Sequence, residues 1–296
     1  MKNALTVRPQ DPPVPVQSSS DAETLGMWLH SKSEKTRAAY LRDIGRFSAF
    51  VGKALPSVTL GDLQSFADSL HGAPATIRRT LAAVKSLFSF AARIGYIRFD
   101  PAAVVTLPKL KNELAARILP ESDVLRMLHT DRIPVRDSVI LRLLYVGGLR
   151  ASEVAGITWK DVQANGDACQ VTVYGKGGKT RVVLLTASTW KALQSMRGDA
   201  GQDAPVFASR GAHGKQGGGH LSSVQIFRIV RNAARAAGIE GNVSPHWLRH
   251  CHASHSLDNG AQISVVTATL GHASVATTSR YLHARPGTSS ATYIRA

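Results

Sequence analysis

The sequence predicts an α+β fold that is mainly helical and carries one small β-sheet. Three successive segments in the first third of the chain place apolar side chains at the spacing of an amphipathic helix. Much later, two short runs rich in β-branched residues, 169–174 and 180–185, flank the sequence GKGGK and predict a β-hairpin. Because 296 residues usually form one large or two ordinary domains, these patterns indicate a helical domain followed by a mixed one.

The first domain is predicted to be entirely helical. Residues 1–20 are rich in proline, serine and glutamine and are expected to be disordered, so we place the domain at 21–105. Apolar side chains recur at helical spacing over 34–52, over 59–70 and again after Pro74. We interpret each apolar stripe as a face that packs into the core of a small helical domain.

The second domain is predicted to follow a short linker. A basic stretch without clear periodicity, 106–117, is interpreted as this linker, which places the second domain at 118–296. Residues 120–123 have the character of a helix N-terminus. An apolar helix near 134–146 is expected to end at the glycine pair that begins at Gly147.

The elements that follow are helical apart from the hairpin and one loop. We expect Ser152 to cap a short helix begun by Glu153. The stretch 209–220 is so rich in glycine that we predict a mobile surface loop without a regular element. Further helices are predicted near 187–197, 222–237, 245–259, 262–270 and 274–284.

The charge of the chain predicts a polyanionic partner. Lysine and arginine outnumber aspartate and glutamate by 36 to 20, for a formal net charge of +16. Such a surface binds the phosphate backbone of DNA. No basic amphipathic helix and no long apolar run favours a membrane instead, and two cysteines without an apolar signal core predict a cytoplasmic protein. The cations predicted to contact DNA from the first domain are Arg78, Arg79 and Lys85.

Six side chains suited to phosphate chemistry are spread over the second domain. Pro245 suits the first turn of a helix, and His246, Arg249 and His250 then share one face near its N-terminus, where free N–H groups favour an anion. A tyrosine, with an ordinary pKa of about 10, is a nucleophile only if its proton is accepted and its charge stabilised. The six candidates are Arg150, Lys176, His246, Arg249, His272 and Tyr281.

Other functions were weighed for the same residues. The sequence VYGKGGKT matches the end of a nucleotide-binding P-loop, but Val173 stands where the first glycine belongs and a strand follows instead of a helix. Histidines four residues apart, such as His246 and His250, also favour zinc, although no cysteine or carboxylate cluster completes a ligand set. We therefore predict no metal, and an ordinary packed position for His255.

Four linked stretches of the second domain resemble the tyrosine recombinases, or phage integrase family. They are GGLRASEVAGITWKDV, VYGKGGKTRVVLL, SPHWLRHCHASHSLDNGA and LGHASVATTSRYLHA, and their order and spacing fit the family signature R…K…H-x-x-R…H…Y. The stretches KTRAAYLRDIGRFSAFV and PATIRRTLAAVKSLFSFAARIGYIRFDPA resemble the family's helical, SAM-like core-binding domain. The resemblance covers roughly residues 21–284, and in size the chain is closer to the simple, Xer-like recombinases.

The resemblance implies a role for each candidate. Arg150 and Arg249 would clamp the scissile phosphate and stabilise its transition state. His272 would hydrogen-bond the phosphate. Tyr281 would attack the phosphorus, leaving a 3′-phosphotyrosyl link and a free 5′ hydroxyl, which conserves bond energy without a metal, ATP or another cofactor.

Two candidates would move protons. Lys176, within the GKG triplet, would be the general acid that protonates the leaving 5′ oxygen; it is preferred over Lys179 because the family's lysine lies in that triplet. His246 would act as general base or proton carrier near Tyr281.

The resemblance also implies an assembly. Core-binding and catalytic domains would form a C-shaped clamp on double-stranded DNA with inverted-repeat core sites. A homo-tetramer, or a hetero-tetramer with a related recombinase, would exchange strands through a Holliday junction in the nucleoid of a bacterium or its mobile element. The alternatives are relaxation by a type IB topoisomerase and a catalytically inactive DNA-binding regulator.

Overall fold

The computed structural model describes residues 17–111, 113–175, 178–210 and 216–282. The chain forms two compact units that divide after Lys111. No helix within the described ranges combines the length and the apolarity that crossing a membrane requires. The predicted α+β class is confirmed. Of the predicted disordered segment 1–20, all but its end lies outside the described residues.

The part of the first unit that the structure describes, residues 17–111, contains four α-helices. Their bounds are α1 (Asp21–Leu29), α2 (Glu34–Val51), α3 (Leu60–Asp68) and α4 (Pro74–Arg93). The side chains of Ser20, Ser33 and Thr59 cap the first three helices by accepting backbone N–H bonds, and Pro74 opens the fourth. Local sequence therefore sets where each helix begins.

Aromatic rings from three helices meet in the core of this unit. Phe47 lies edge-on to Phe66 and to Phe88, with ring centroids 5.1 and 5.8 Å apart. All three rings are fully buried. The apolar stripes read from the sequence therefore pack inward, as expected.

The segment after α4 is tied to that helix by cations. Lys85 Nζ donates to the carbonyls of Ala102, Ala103 and Val105 at 2.6–2.7 Å. Arg78 Nη1 donates to the carbonyl of Pro108 at 2.7 Å. The first part of the predicted linker 106–117 thus packs with the first unit, and Leu114 lies in the core of the second. The domain boundaries remain a prediction.

The second unit contains eight α-helices and five strands among the described residues. They are α5 (Glu121–His129), α6 (Val135–Tyr145), α7 (Ala151–Gly156), β1 (Val162–Asn165), β2 (Ala168–Tyr174), β3 (Thr180–Leu185), α8 (Ala187–Arg197), β4 (Ala208–Arg210), β5 (Gln216–His220), α9 (Ser223–Ala236), α10 (Pro245–Asp258), α11 (Ile263–Leu270) and α12 (Val275–Ser279).

Strands β1, β2 and β3 form an antiparallel sheet in that order. Val171 of β2 pairs with Val162 on one side and Val183 on the other. Cys169, Val171 and Val173 alternate inward, as the period of two requires, and they are buried in the main core of the unit. The predicted hairpin β2–β3 is confirmed. The third strand of this sheet, β1, was not predicted.

Three local predictions differ from the structure. Ser152 does not cap α7: the helix begins at Ala151, and the Glu153 carboxylate accepts the backbone N–H of Arg150 at 2.8 Å. The two ends of the stretch 209–220 have regular structure, because β4 and β5 pair as a small antiparallel sheet, while residues 211–215 of the predicted loop lie outside the described residues. Pairing between strands outweighs the weak intrinsic preference of glycine for a strand. The helix predicted at 274–284 ends earlier, at Ser279, and residues 283 and 284 lie outside the described ranges.

Candidate active site

An open, cation-lined pocket of about 960 Å³ lies between the β2–β3 hairpin, α7 and the turn after α11. Its lining includes Arg150, Lys179, Arg181 and His272. The hairpin contributes Lys179 and Arg181, and the other two basic side chains come from separate parts of the chain. The pocket therefore offers a positive environment suited to an anionic ligand.

A buried carboxylate holds two of these arginines in place. Glu153 accepts hydrogen bonds from Arg150 Nη1 at 2.7 Å and from Arg181 Nη1 and Nη2 at 3.0 and 2.7 Å. The side chain of Glu153 is only 5% exposed, and that of Arg181 is 13% exposed. The second contact is a two-point Arg–carboxylate pair, the geometry that fixes both groups best.

Glu153 keeps its negative charge inside the protein. Burial would raise the pKa of this carboxyl group, but hydrogen bonds from Arg181 and from the backbone of Arg150 lower it to about 2. The charge therefore offsets the repulsion among the cations of the site at neutral pH. It also restrains Arg150 before any phosphate is bound.

Arg249 is the most deeply buried cation of the site, with 4% of its surface exposed. Its Nη1 donates to the carbonyl of Gly148, and its Nη2 donates to the carbonyl of Leu270 at 2.6 Å. Burial, followed by the charge of Arg150, lowers the pKa of this guanidinium to about 10, so it stays charged near neutrality. The two carbonyls fix where its remaining donors lie.

A glycine makes this placement of Arg249 possible. Gly148 has a φ of +60°, and a Cβ there would lie 2.8 Å from the ring of His252. Residues with side chains rarely adopt this conformation. The glycine pair predicted to end α6 therefore also brings a backbone carbonyl to the arginine.

His272 follows the C-terminus of α11 directly. The helix ends at Gly271, which has a φ of +62°. The Nδ1 atom of His272 lies 2.9 Å from Thr278 Oγ1, which fixes the ring. Burial, then the charges of Arg249 and Arg150, lower its pKa to about 4. The imidazole is therefore neutral near pH 7 and lines the pocket as a hydrogen-bonding group.

Tyr281 lies just after α12 and is 7% exposed. Its phenolic oxygen is 2.8 Å from Nδ1 of His250. Burial raises the pKa of Tyr281, and the charges of Arg249 and Arg280 partly oppose that rise. The phenol is therefore protonated at rest and close enough to Arg249 to be affected by its charge.

His246 lies one helical turn before His250, and their rings stack with centroids 6.1 Å apart. It is His250, and not His246, that contacts the phenol of Tyr281. Burial, then the charge of Arg249, lower the pKa of His246. The predicted proton-transfer role of His246 remains a prediction.

The other two histidines of α10 each contact a backbone carbonyl. His252 Nδ1 lies 2.8 Å from the carbonyl of Tyr145, and His255 bridges the Tyr145 hydroxyl and the carbonyl of Leu119. His255 is thus a packed helix residue, as the sequence suggested. Among the described residues, histidine, cysteine and acidic side chains do not gather in a group of three that could hold a metal ion.

Of the two lysines of the hairpin, the structure describes one. Lys176 lies outside the described residues, so its predicted role as general acid stays a prediction. Lys179 lines the pocket, and its carbonyl accepts the N–H of Gly175 at 2.7 Å, which closes the hairpin end.

Three residues of the site were not among the six candidates. Glu153 had a visible signal, because a glutamate three residues after Arg150 is the spacing of a capping box. The sequence placed His250 on the correct face of α10 but did not indicate its contact with Tyr281. Arg181 had no signal, since on β3 it shares the inward face with Val183 and Leu185, where an apolar side chain is the usual occupant.

Two family models match the chain. The model described as the phage integrase family matches residues 117–287, which is more than half of the chain. The chain belongs to the phage integrase family. A second model, the phage integrase N-terminal SAM-like domain, matches residues 27–95.

Curated relatives of this integrase-family chain are tyrosine recombinases. The tyrosine recombinase XerC of Erythrobacter litoralis (strain HTCC2594) is 34% identical over 84% of this chain and 81% of its own length. The tyrosine recombinase XerC of Mycobacterium bovis (strain BCG / Pasteur 1173P2) is 35% identical over 85% of this chain and 89% of its own length. The resemblance read from the motifs is confirmed, and the chain is a tyrosine recombinase of Xer-like type.

Solved structures of the family share this fold. A lambda integrase dimer bound to a COC′ core site superposes with a TM-score of 0.71 at 19% identity, covering 92% of this chain and 79% of that one. The XerH site-specific recombinase bound to difH substrate gives a TM-score of 0.68 at 20% identity, covering 90% and 82%.

The three cations predicted to contact DNA from the SAM-like unit of this recombinase all have partners within the protein. Arg79 forms an ion pair with Asp43, and Arg78 and Lys85 bond to backbone carbonyls. Lys85 has three donors, and three carbonyls already accept from it. Contact with DNA remains a prediction, and for Lys85 it competes with existing hydrogen bonds.

We expect Lys85→Met to destabilise this recombinase by about 1–3 kcal/mol, because three carbonyls, two of them partly buried, lose a charged donor. Methionine keeps most of the aliphatic stem, so packing is largely retained. Urea unfolding measures the stability, and DNA affinity over a salt series measures the number of phosphate contacts. Unchanged stability with a smaller salt slope would show instead that Lys85 contacts a phosphate.

Proposed function

We propose that this chain is a site-specific recombinase that cuts and rejoins DNA strands through a 3′-phosphotyrosyl intermediate. One observation carries the proposal: Arg249 donates to the carbonyls of Gly148 and Leu270. Each carbonyl lies two residues before another candidate, Arg150 or His272, and the residue after Arg249 in α10, His250, contacts Tyr281. Four candidates that are far apart in sequence are therefore close together. A site with two guanidinium groups, a neutral imidazole and a buried phenol matches the needs of phosphoryl transfer to a tyrosine.

The arginines would stabilise the transition state. Arg150, restrained by Glu153, and Arg249, restrained by two carbonyls, would meet the charge that develops on the phosphate oxygens. Donors that are already oriented cost no reorganisation at the moment of reaction, which makes this type of stabilisation large. His272, neutral and held by Thr278, would add a hydrogen bond to the same phosphate.

Tyr281 would be the nucleophile. Its oxygen attacks the phosphorus, the bond to the 5′ oxygen breaks, and the phenolic proton leaves to a basic group, for which His246 is the candidate. Lys176 would protonate the leaving 5′ oxygen. The covalent link conserves the bond energy, so a 5′ hydroxyl from another strand can reverse the attack without ATP.

We extend the proposal to the partner and the assembly. XerH is described as bound to difH substrate, and lambda integrase as a tetramer bound to a Holliday junction. By analogy, this chain would bind double-stranded DNA with inverted-repeat core sites and act there as a homo-tetramer, or as a hetero-tetramer with a related recombinase. Its net charge of +16 is consistent with a DNA partner, and its place of action would be the nucleoid.

The proposal is tested with DNA selected by the protein itself. A duplex retained from a random inverted-repeat library is placed twice on a plasmid and is also made with a nick beside the cleavage position. We expect a covalent protein–DNA adduct on the nicked duplex and exchange between the two plasmid sites. Plasmid relaxation without exchange would indicate topoisomerase activity, and tight binding without an adduct would indicate a regulator.

A further inference from the structure

The contact between His250 and Tyr281 is unexplained by the roles assigned so far. Nδ1 of His250 lies 2.8 Å from the phenolic oxygen, and the two ring centroids are 5.7 Å apart at an angle of 45°. The tyrosine is 7% exposed, and the histidine is half-buried on α10. Both rings are therefore restrained by packing as well as by this hydrogen bond.

The contact is suited to holding the phenol and poorly suited to removing its proton. Burial, then the neighbouring charges of His246 and Arg117, lower the pKa of His250 to about 4. Burial raises the pKa of Tyr281 above its ordinary value. Since the donor is a weak acid and the acceptor a weak base, the proton stays on the phenol. A neutral imidazole that accepts at Nδ1 carries its hydrogen on Nε2.

The position of His250 links the nucleophile to the phosphate clamp. His250 follows Arg249 directly in α10, so one helix carries both the arginine expected to hold the phosphate and the imidazole that holds the phenol. The backbone of a helix interior moves little, which makes it a precise support for a site. In contrast, Tyr281 follows the five-residue helix α12 and is not itself within a helix.

We propose that His250 is the positioning residue of the nucleophile: its Nδ1 accepts the hydrogen bond of the Tyr281 phenol and holds that ring in register with Arg249. This inference rests on the proposed function, since it assumes that Tyr281 is the nucleophile. Correct placement matters because a misplacement of about 1 Å can cost a factor of about 100 in rate.

A pair of near-isosteric variants tests the hydrogen bond. Asparagine can place its side-chain oxygen where Nδ1 lies, whereas leucine has a similar shape and no acceptor. We expect His250→Leu to slow adduct formation on the nicked duplex by about 10- to 100-fold, with DNA affinity unchanged. We expect His250→Asn to recover most of that loss.

Several outcomes would overturn the proposal. Equal rates for His250→Leu and wild type would remove any positioning role, and a faster His250→Leu would mean that the contact restrains the tyrosine. Equally slow leucine and asparagine variants would assign the effect to ring packing. If the wild-type protein itself forms no adduct, the proposed function fails, which is a different result.

A second measurement is made on the wild-type protein and does not depend on the activity of the His250 variants. Nitrogen NMR of histidine-labelled full-length protein reports which ring nitrogen carries the hydrogen, and the signal of His250 is assigned by its loss in His250→Asn. We expect an unprotonated Nδ1 in the wild type, with a resonance that shifts in Tyr281→Phe. A protonated Nδ1, or no shift in that variant, would contradict the proposed contact.

Discussion

Tyr281→Phe is expected to abolish the covalent protein–DNA adduct while leaving DNA binding intact. The substitution removes one oxygen from a ring that is 7% exposed and packed in the core of the second unit. The lost hydrogen bond to His250 should cost only about 1 kcal/mol of stability. The adduct is measured on a denaturing gel with the nicked duplex, and binding is measured by retention of the intact duplex.

A second tyrosine provides the matched control. Tyr174 lines the pocket, is 65% exposed and ends β2. Tyr174→Phe should keep full adduct formation. An adduct that persists in Tyr281→Phe and disappears in Tyr174→Phe would assign the nucleophile to the hairpin and overturn our assignment.

Glu153→Gln is expected to destabilise the protein by about 3–5 kcal/mol, the cost of removing one partner of a buried ion pair. The side chain is 5% exposed and binds two arginines, so the variant leaves Arg150 and Arg181 without their counter-charge. We also expect slower cleavage, because Arg150 loses the group that orients it. Urea unfolding and the nicked-duplex assay measure the two effects.

The same variant should also change how the free energy of unfolding depends on pH under acidic conditions. The pKa of Glu153 is lowered from an ordinary 4.5 to about 2 in the folded protein. Its contribution is therefore complete above about pH 4.5 and is lost as the pH falls toward 2. The free energy of unfolding of the wild type should therefore fall over that pH range. In Glu153→Gln this part of the fall should be missing.

An exposed ion pair serves as the control for Glu153. Glu113 pairs with Arg117 at 2.7 Å, and the two side chains are 58% and 47% exposed. Glu113→Gln should change stability very little, because water and salt screen an exposed pair. Similar losses in both variants would show that the buried position of Glu153 has no special importance.

The first unit followed closely from its sequence. The apolar stripes of α2 and α4 and the proline that opens α4 are local signals, and the helices begin where those signals predict. The errors in the second unit have a common cause. Strand β1 pairs with β2 and β4 pairs with β5, so each is stabilised by its neighbour in sequence, and a glycine-rich segment such as β5 carries little preference of its own.

The six candidate residues were identified because their type, order and spacing are properties of the sequence. Their partners were not identifiable in that way. The carbonyl of Gly148 that accepts from Arg249 is 101 residues away, and Nδ1 of His250 meets a phenol 31 residues away. Neither distance follows from helical or strand periodicity.

The sequence alone determined the family, the helical and hairpin elements and the chemical types of the site, because these depend on local patterns and linked motifs. Only the tertiary structure decided that Glu153 pairs with two arginines, that Arg249 is buried against two carbonyls, and that His250 contacts Tyr281. The physical reason is that charge compensation and the pKa of a buried group depend on the side chains around it. Those surroundings exist only after distant segments have packed together.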